Sequence, residues 1–176
     1  MSKKIWYAPN KFESYGEEEI KAVEECLRDG WLAGFGKRTE KFEKRTSLLF
    51  GKKMGLFVNS GSSAILLALA ALNLPKGSEV VTPACGFATT VAPILQLGLV
   101  PKFCDVELET YVPALHHIVS VVTNRTKCIL LPNLIGNIPN WEIIRDMYPD
   151  IPIIEDSADT ITQNRCTDIS TTSFYA

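Results

Sequence analysis

Residues 54–72 read MGLFVNSGSSAILLALAAL: a short apolar run, a polar turn of glycine and serine, then a long apolar run. Residues 55–58 have strand-like composition, and residues 64–72 consist of strong helix formers that predict a buried helix. Between them stand Asn59, Ser60, Gly61, Ser62 and Ser63. A strand that turns through glycine and serine straight into a helix aims several unpaired N–H groups, and the positive end of the helix dipole, at one point. Such a point can hold a phosphate. The same residues also suit a plain helix cap, since serine is a preferred N-cap, so the decision rests on what surrounds them.

Downstream, Pro75-Lys76-Gly77 makes a turn and residues 79–82 predict a second buried strand that ends in Pro83-Ala84-Cys85-Gly86-Phe87. Helices are expected over 88–97, 116–122 and 141–147, and strands over 100–106, 128–131, 151–154 and 169–175. Short apolar strands alternating with helices argue for an α/β fold, a mostly parallel sheet covered on both faces as a three-layer sandwich. In such sheets ligands bind beyond the carboxyl ends of the strands. Upstream, residues 15–29 place Ile20, Val23 and Leu27 on one helical face, with acids crowded at the start and Gly30 as the stop. A second helix is expected over 39–50, closed by Gly51. Gly34-x-Gly36 is not a dinucleotide fingerprint, because no strand precedes it and the third glycine is missing.

The length of 176 residues suits one domain with a real core, and the net charge of −2 gives no reason to expect nucleic acid or an anionic membrane as partner. Lys3 and Lys4 lead into Ile5-Trp6-Tyr7-Ala8-Pro9 rather than into a signal core, and the run 64–72 is too short to cross a bilayer. A cytoplasmic location is expected. Five widely spaced cysteines without a CxxC pair indicate neither a disulfide framework nor a zinc site. Asn124-Arg125-Thr126 matches a glycosylation acceptor, which in a protein with no secretory signal is read as chance.

The strand ends carry the chemistry. Asn59 to Ser63 follow the first expected strand, and Phe87 follows the second. The segment 132–137, PNLIGN, follows the fourth; Glu155-Asp156-Ser157-Ala158-Asp159 follows the fifth, and Ser173 lies in the last. A phosphate cradle, an aromatic face, acids at the end of a buried strand and a second hydroxyl suit a flat, phosphorylated, heteroaromatic cofactor, and pyridoxal phosphate fits. Its ring nitrogen must stay protonated, and a carboxylate fixed against it secures that charge. Asp156 can supply the carboxylate and Phe87 a stacking ring, although Phe87 alone would suit plain core, and Glu155-Asp156 alone would suit a metal-binding or helix-capping acid pair.

Taken in order, Asn59-Ser60-Gly61-Ser62-Ser63-Ala64, Gly86-Phe87-Ala88-Thr89-Thr90-Val91, Leu134-Ile135-Gly136-Asn137, Glu155-Asp156-Ser157-Ala158-Asp159 and Ser173-Phe174-Tyr175 resemble successive motifs of the DegT/StrS family. These are fold-type I, pyridoxal-phosphate-dependent sugar aminotransferases and their dehydratase relatives. Trp31-Leu32-Ala33-Gly34 followed by Phe42-Glu43 resembles the family's N-terminal signature. The resemblance implies that Gly61 and Ser62 hold the cofactor phosphate, Phe87 stacks on the ring, Asp156 binds the pyridine nitrogen, Ser173 adds a phosphate contact and Asp159 lies near the 3-hydroxyl. The motifs look closest to the lipopolysaccharide branch with its CDP-4-keto-6-deoxyglucose 3-dehydratases. In those enzymes a histidine replaces the catalytic lysine, and pyridoxamine phosphate serves in removing a 3-hydroxyl from a nucleotide-linked 4-keto sugar. The aminotransferases keep the lysine and pass an amino group to the keto sugar instead.

By the same resemblance the deciding lysine or histidine comes just beyond Ala176. The chain is expected to be the N-terminal half of such an enzyme: an N-terminal helical segment over 1–50, then the first part of the large cofactor-binding domain over 51–176, homodimeric at full length. A seventh, antiparallel strand from the remaining part would lie between the first and last strands. Lys52, Lys53, Lys102 and Lys127 are expected to be solvated, and His116 and His117, lacking acids at ligand spacing, are not read as a metal site. Two other classes stand beside this reading: a Rossmann-type nucleotide module, disfavoured because no strand leads into a glycine-rich fingerprint, and a non-catalytic protein that kept the fold.

Overall fold

The computed structural model describes residues 15–31 and 33–174. The stretch from Lys3 to Pro9, Leu32 and the Tyr175 end of the last expected strand lie outside them. The chain divides into two compact units, one up to Phe42 and one over Glu43–Phe174. The first contains α1 (Glu17–Asp29), opened by Gly16, whose N–H binds the Glu19 carboxylate at 2.7 Å, and closed by Gly30 at φ 70°. Its Ile20, Val23 and Leu27 are exposed, so the expected apolar face is bare among the described residues. Helix α2 (Lys37–Leu49) runs from the first unit into the second.

The second unit is built on a five-stranded parallel sheet of order β2-β1-β3-β4-β5, with β1 (Glu79–Pro83), β2 (Val100–Cys104), β3 (Thr126–Pro132), β4 (Ile153–Ser157) and β5 (Ile169–Thr172). Alternation along the strands sends side chains to both faces. Val80, Cys128, Leu130 and Ile154 pack with Ile65, Ala68 and Leu69 of α3 (Gly61–Ala71) and Ile94 of α4 (Ala88–Gln96). Val81, Ile129, Leu131 and Ile153 pack with Ile118 of α5 (Leu115–Val119) and with Trp141 and Ile144 of α6 (Trp141–Met147). The expected three layers are present.

Three expectations change. Residues 55–58 form no ladder in the described structure, and Met54, Leu56 and Phe57 are exposed. A strand needs a neighbour to take its backbone bonds, and composition carries no information about one. Here the Phe57 N–H binds the Glu43 carboxylate at 2.8 Å, and a Cβ on Gly55 would lie 2.7 Å from the Glu43 carbonyl oxygen. Second, the strand expected over 151–154 runs over Ile153–Ser157. Glu155, Asp156 and Ser157 look like loop because they are polar, yet Glu155 and Asp156 pair on both sides, Asp156 with Pro132 and Thr171, and Ser157 pairs with Thr172.

Third, Lys52 is not solvated. Its ammonium is half-buried and donates to the carbonyls of Asn164 and Thr167 at 2.9 and 2.6 Å and to the Thr167 hydroxyl at 2.9 Å. Burial pulls its pKa below the ordinary lysine value, against the opposing attraction of Glu155 and Asp168. The partners are carbonyls more than a hundred residues away, which spacing cannot reveal. Lys53 and Lys127 are exposed, as expected, whereas Lys102 is half-buried.

Candidate cofactor site at the carboxyl edge of the sheet

Glu155 and Asp156 are neighbours on a strand and therefore face opposite ways, which rules out a two-carboxylate metal or capping pair. Asp156 faces α4. The residue is 7% exposed; Oδ2 accepts from the Thr90 hydroxyl at 2.7 Å and Oδ1 from the Ala158 N–H at 3.4 Å. Burial raises its pKa, and the Thr90 hydrogen bond opposes the rise. A buried carboxylate held by one strong neutral donor is poised to gain from a cation placed beside it.

Glu155 turns to the α6 side and is completely buried. It accepts from Ser170 in a very short bond, from Thr162 at 3.1 Å, and from Asn133 and Asn164 at 3.2 Å each. Asn133 also donates to Ser157 at 2.6 Å and accepts from the Trp141 indole at 3.2 Å. This network holds the ends of β3, β4 and β5 from below the site.

The cradle is assembled from distant pieces. Ser60 caps α3, its hydroxyl accepting from the Ser63 N–H at 3.1 Å, and the Ala64 N–H goes to the Ser60 carbonyl. Helix geometry leaves the Gly61 and Ser62 N–H groups without intrahelical partners. A Cβ on Gly61 would lie 3.1 Å from the Ser173 Cβ, a tight contact that would push the chain after β5 back by a few tenths of an ångström, and glycine removes it. Gly61, Ser62 and Ser173 thus gather at one spot. Phe87, just before α4, is 71% exposed, and a Cβ on the preceding Gly86 would lie 3.7 Å from Pro132 at the end of β3. Asp159 accepts from the Ile135 N–H at 3.1 Å. All six residues expected for the cofactor therefore lie at or just past the carboxyl ends of β1, β4 and β5 or at the start of α3.

The family model for the DegT/DnrJ/EryC1/StrS aminotransferases matches residues 13–176. The chain belongs to this family. It is similar to the lipopolysaccharide biosynthesis protein RfbH of Salmonella typhimurium, 38% identical over 91% of this chain and 40% of that protein. It is equally similar to the dTDP-4-dehydro-2,6-dideoxy-D-glucose 3-dehydratase of Saccharopolyspora spinosa, 38% identical over 90% of this chain and 38% of the relative. Among solved structures, the Escherichia coli GDP-4-keto-6-deoxy-D-mannose 3-dehydratase with bound hydrated PLP superposes with a TM-score of 0.79 at 33% identity, covering 84% of this chain and 40% of that one. The chain spans about 40% of the length of these relatives.

Within this family member, sequence reasoning missed Thr90, Asn133 and Glu155 as supports of the site. Thr90 could have been found as the residue one helical turn into α4, on the face turned to the sheet; the partners of Glu155 come from three separate segments and leave no local signal. The histidines also need correction. Glu107, brought round by the turn after β2, lies 3.8 Å from the His116 Nε2, and ligand atoms of Glu107, His116 and His117 fall within 4.8 Å of one another. The His117 Nδ1, however, accepts the Ala114 N–H at 3.3 Å.

Proposed function

We propose that the protein carrying this chain is a pyridoxal or pyridoxamine phosphate-dependent enzyme acting on a nucleotide-linked 4-keto-6-deoxy sugar, most like a 3-dehydratase, and that it works as a cytoplasmic homodimer. The observation that carries the reading is the meeting of the α3 start and Ser173 on the same sheet edge as the buried Asp156 and the open Phe87 ring. These residues fit the cofactor: the Gly61 and Ser62 N–H groups with the hydroxyls of Ser62 and Ser173 for its phosphate, Asp156 for its ring nitrogen, Phe87 for its face and Asp159 for its 3-hydroxyl. When bound, the cofactor supplies an electron sink for the carbon next to the nitrogen that links it to the sugar.

Asp156 holds a proton at the ring nitrogen, because a cation there offsets the cost that burial imposes on its carboxylate. Thr90 fixes one carboxylate oxygen, and the other, which holds only the long 3.4 Å bond from the Ala158 N–H, serves the ring. The phosphate cradle and Phe87 set the height and tilt of the ring above the sheet. The relatives' names favour the dehydratase over amino transfer, and the side chain two positions after Ala176 separates them: histidine for the first, lysine for the second.

The test has two parts. Pyridoxamine phosphate titrated into the protein should bind saturably, and Asp156→Asn should weaken it by roughly tenfold or more, as expected for a lost charge-assisted hydrogen bond. The complete protein given a nucleotide-linked 4-keto-6-deoxy sugar should release a product lacking the 3-hydroxyl. An aminated product would favour the aminotransferase, and no cofactor binding would leave a non-catalytic relative.

A further inference from the structure

Between β3 and α6 the chain passes through the Leu134–Gly136 turn, where Ile135 has φ 55° and ψ 29°. Glycine and asparagine enter this left-handed region readily, but a β-branched residue there is an outlier. The next residue, Gly136, takes φ 83° as glycine should. Isoleucine gains little by packing in return, for the residue is 73% exposed.

The conformation is imposed from several sides. The Asp159 carboxylate accepts the Ile135 N–H at 3.1 Å, the Asn137 N–H binds the Leu134 carbonyl at 2.9 Å, and the Gly136 N–H binds that of Asn133 at 3.3 Å. Asn133 is itself buried and anchored by Trp141, Glu155 and Ser157. A disfavoured backbone held this firmly, and spent on an exposed side chain, points to that side chain as the functional part. It stands past the end of β3, on the strand paired with Asp156.

We propose that Ile135 is a substrate-contacting specificity residue that forms the apolar wall for the C6 methyl group of the sugar; this rests on the function proposed above. Asp156, Asp159, Ser62 and Ser173 can meet the charges, phosphate and hydroxyls of cofactor and sugar, and Phe87 is needed by the ring. The part of a 4-keto-6-deoxy sugar that gains from isoleucine is its methyl. A 6-hydroxy sugar placed there would leave its hydroxyl against carbon with no partner.

The test uses the complete protein loaded with pyridoxamine phosphate, comparing wild type, Ile135→Gly and Ile135→Val on the 6-deoxy substrate and its 6-hydroxy counterpart. Ile135→Gly should raise Tm, because the strain is relieved, leave pyridoxamine phosphate affinity and kcat unchanged, and raise KM for the 6-deoxy sugar roughly tenfold while discrimination against the 6-hydroxy sugar falls by a similar factor. Ile135→Val should keep both near wild type. Unchanged KM and discrimination in Ile135→Gly would overturn the inference. So would weakened pyridoxamine phosphate binding, which puts the side chain on the cofactor, or a lost dimer, which puts it in a subunit interface. A wild type that binds pyridoxamine phosphate yet turns over neither sugar would overturn the proposed function itself, and is distinct from all of these.

Discussion

At Asp156 stability and function pull apart. Burial holds its folded carboxyl above the ordinary value, so the folded chain keeps the proton over a pH range in which the unfolded chain has released it. Stability therefore falls as pH rises from about 4 through the raised folded pKa. Asp156→Asn removes that loss: without cofactor the variant should melt above wild type at pH 7, with the difference shrinking toward pH 4, while its pyridoxamine phosphate binding weakens. Melting curves at both pH values check the sign. Thr82 gives a simpler case, since its fully buried Oγ1 lacks a hydrogen-bond partner among the described residues. Thr82→Val keeps the shape and removes the orphaned hydroxyl, so urea unfolding should show a gain of about 1 kcal/mol; a loss would mean the hydroxyl has a partner in solution.

Among the elements, β4 carries the heaviest constraint, because its two carboxylates serve opposite faces. Glu155→Ala would leave the donors of Asn133, Thr162, Asn164 and Ser170 facing an empty space, at a cost of about 3–5 kcal/mol. Hydrogen exchange should then accelerate in the segment between β4 and β5 and at Asn133 before it does in α3, whose packing is on the other face. The helices and apolar strand centres were legible in the sequence because periodicity and burial agree there; residues 141–147 match α6 end to end. The polar end of β4 was not, since Glu155 is made tolerable by hydroxyl and amide partners 7 to 22 residues away whose approach only the fold reveals. Residues 55–58 failed for the converse reason: they have strand composition, and pairing depends on a neighbour. The six candidate residues were legible as motifs, while the supports beneath them, Thr90 and Asn133 among them, became visible only when separate strands were set side by side.

For the molecule as a whole, apolar surface decides behaviour. Within the second unit Met54, Leu56 and Phe57 are exposed by 85, 60 and 53%, and within the first α1 shows Ile20, Val23 and Leu27. Exposed apolar surface on each unit marks a contact site or an association hazard. The 176-residue chain on its own is expected to sediment as species heavier than its 19.5 kDa, with little dependence on salt; a monodisperse monomer that unfolds cooperatively would count against this. No helix among the described residues is long and apolar enough to cross a membrane.

The Lys52 contacts also set a timetable. Its partners Asn164 and Thr167 lie 112 and 115 residues further along, and at about 5–20 residues per second a ribosome needs on the order of ten seconds to deliver them. For that interval water solvates the Lys52 ammonium in place of its carbonyl partners, and the start of α3 waits equally for Ser173. The two parts of the cradle are thus synthesised far apart in time, and Gly61 meets Ser173 only after Ser173 has left the exit tunnel.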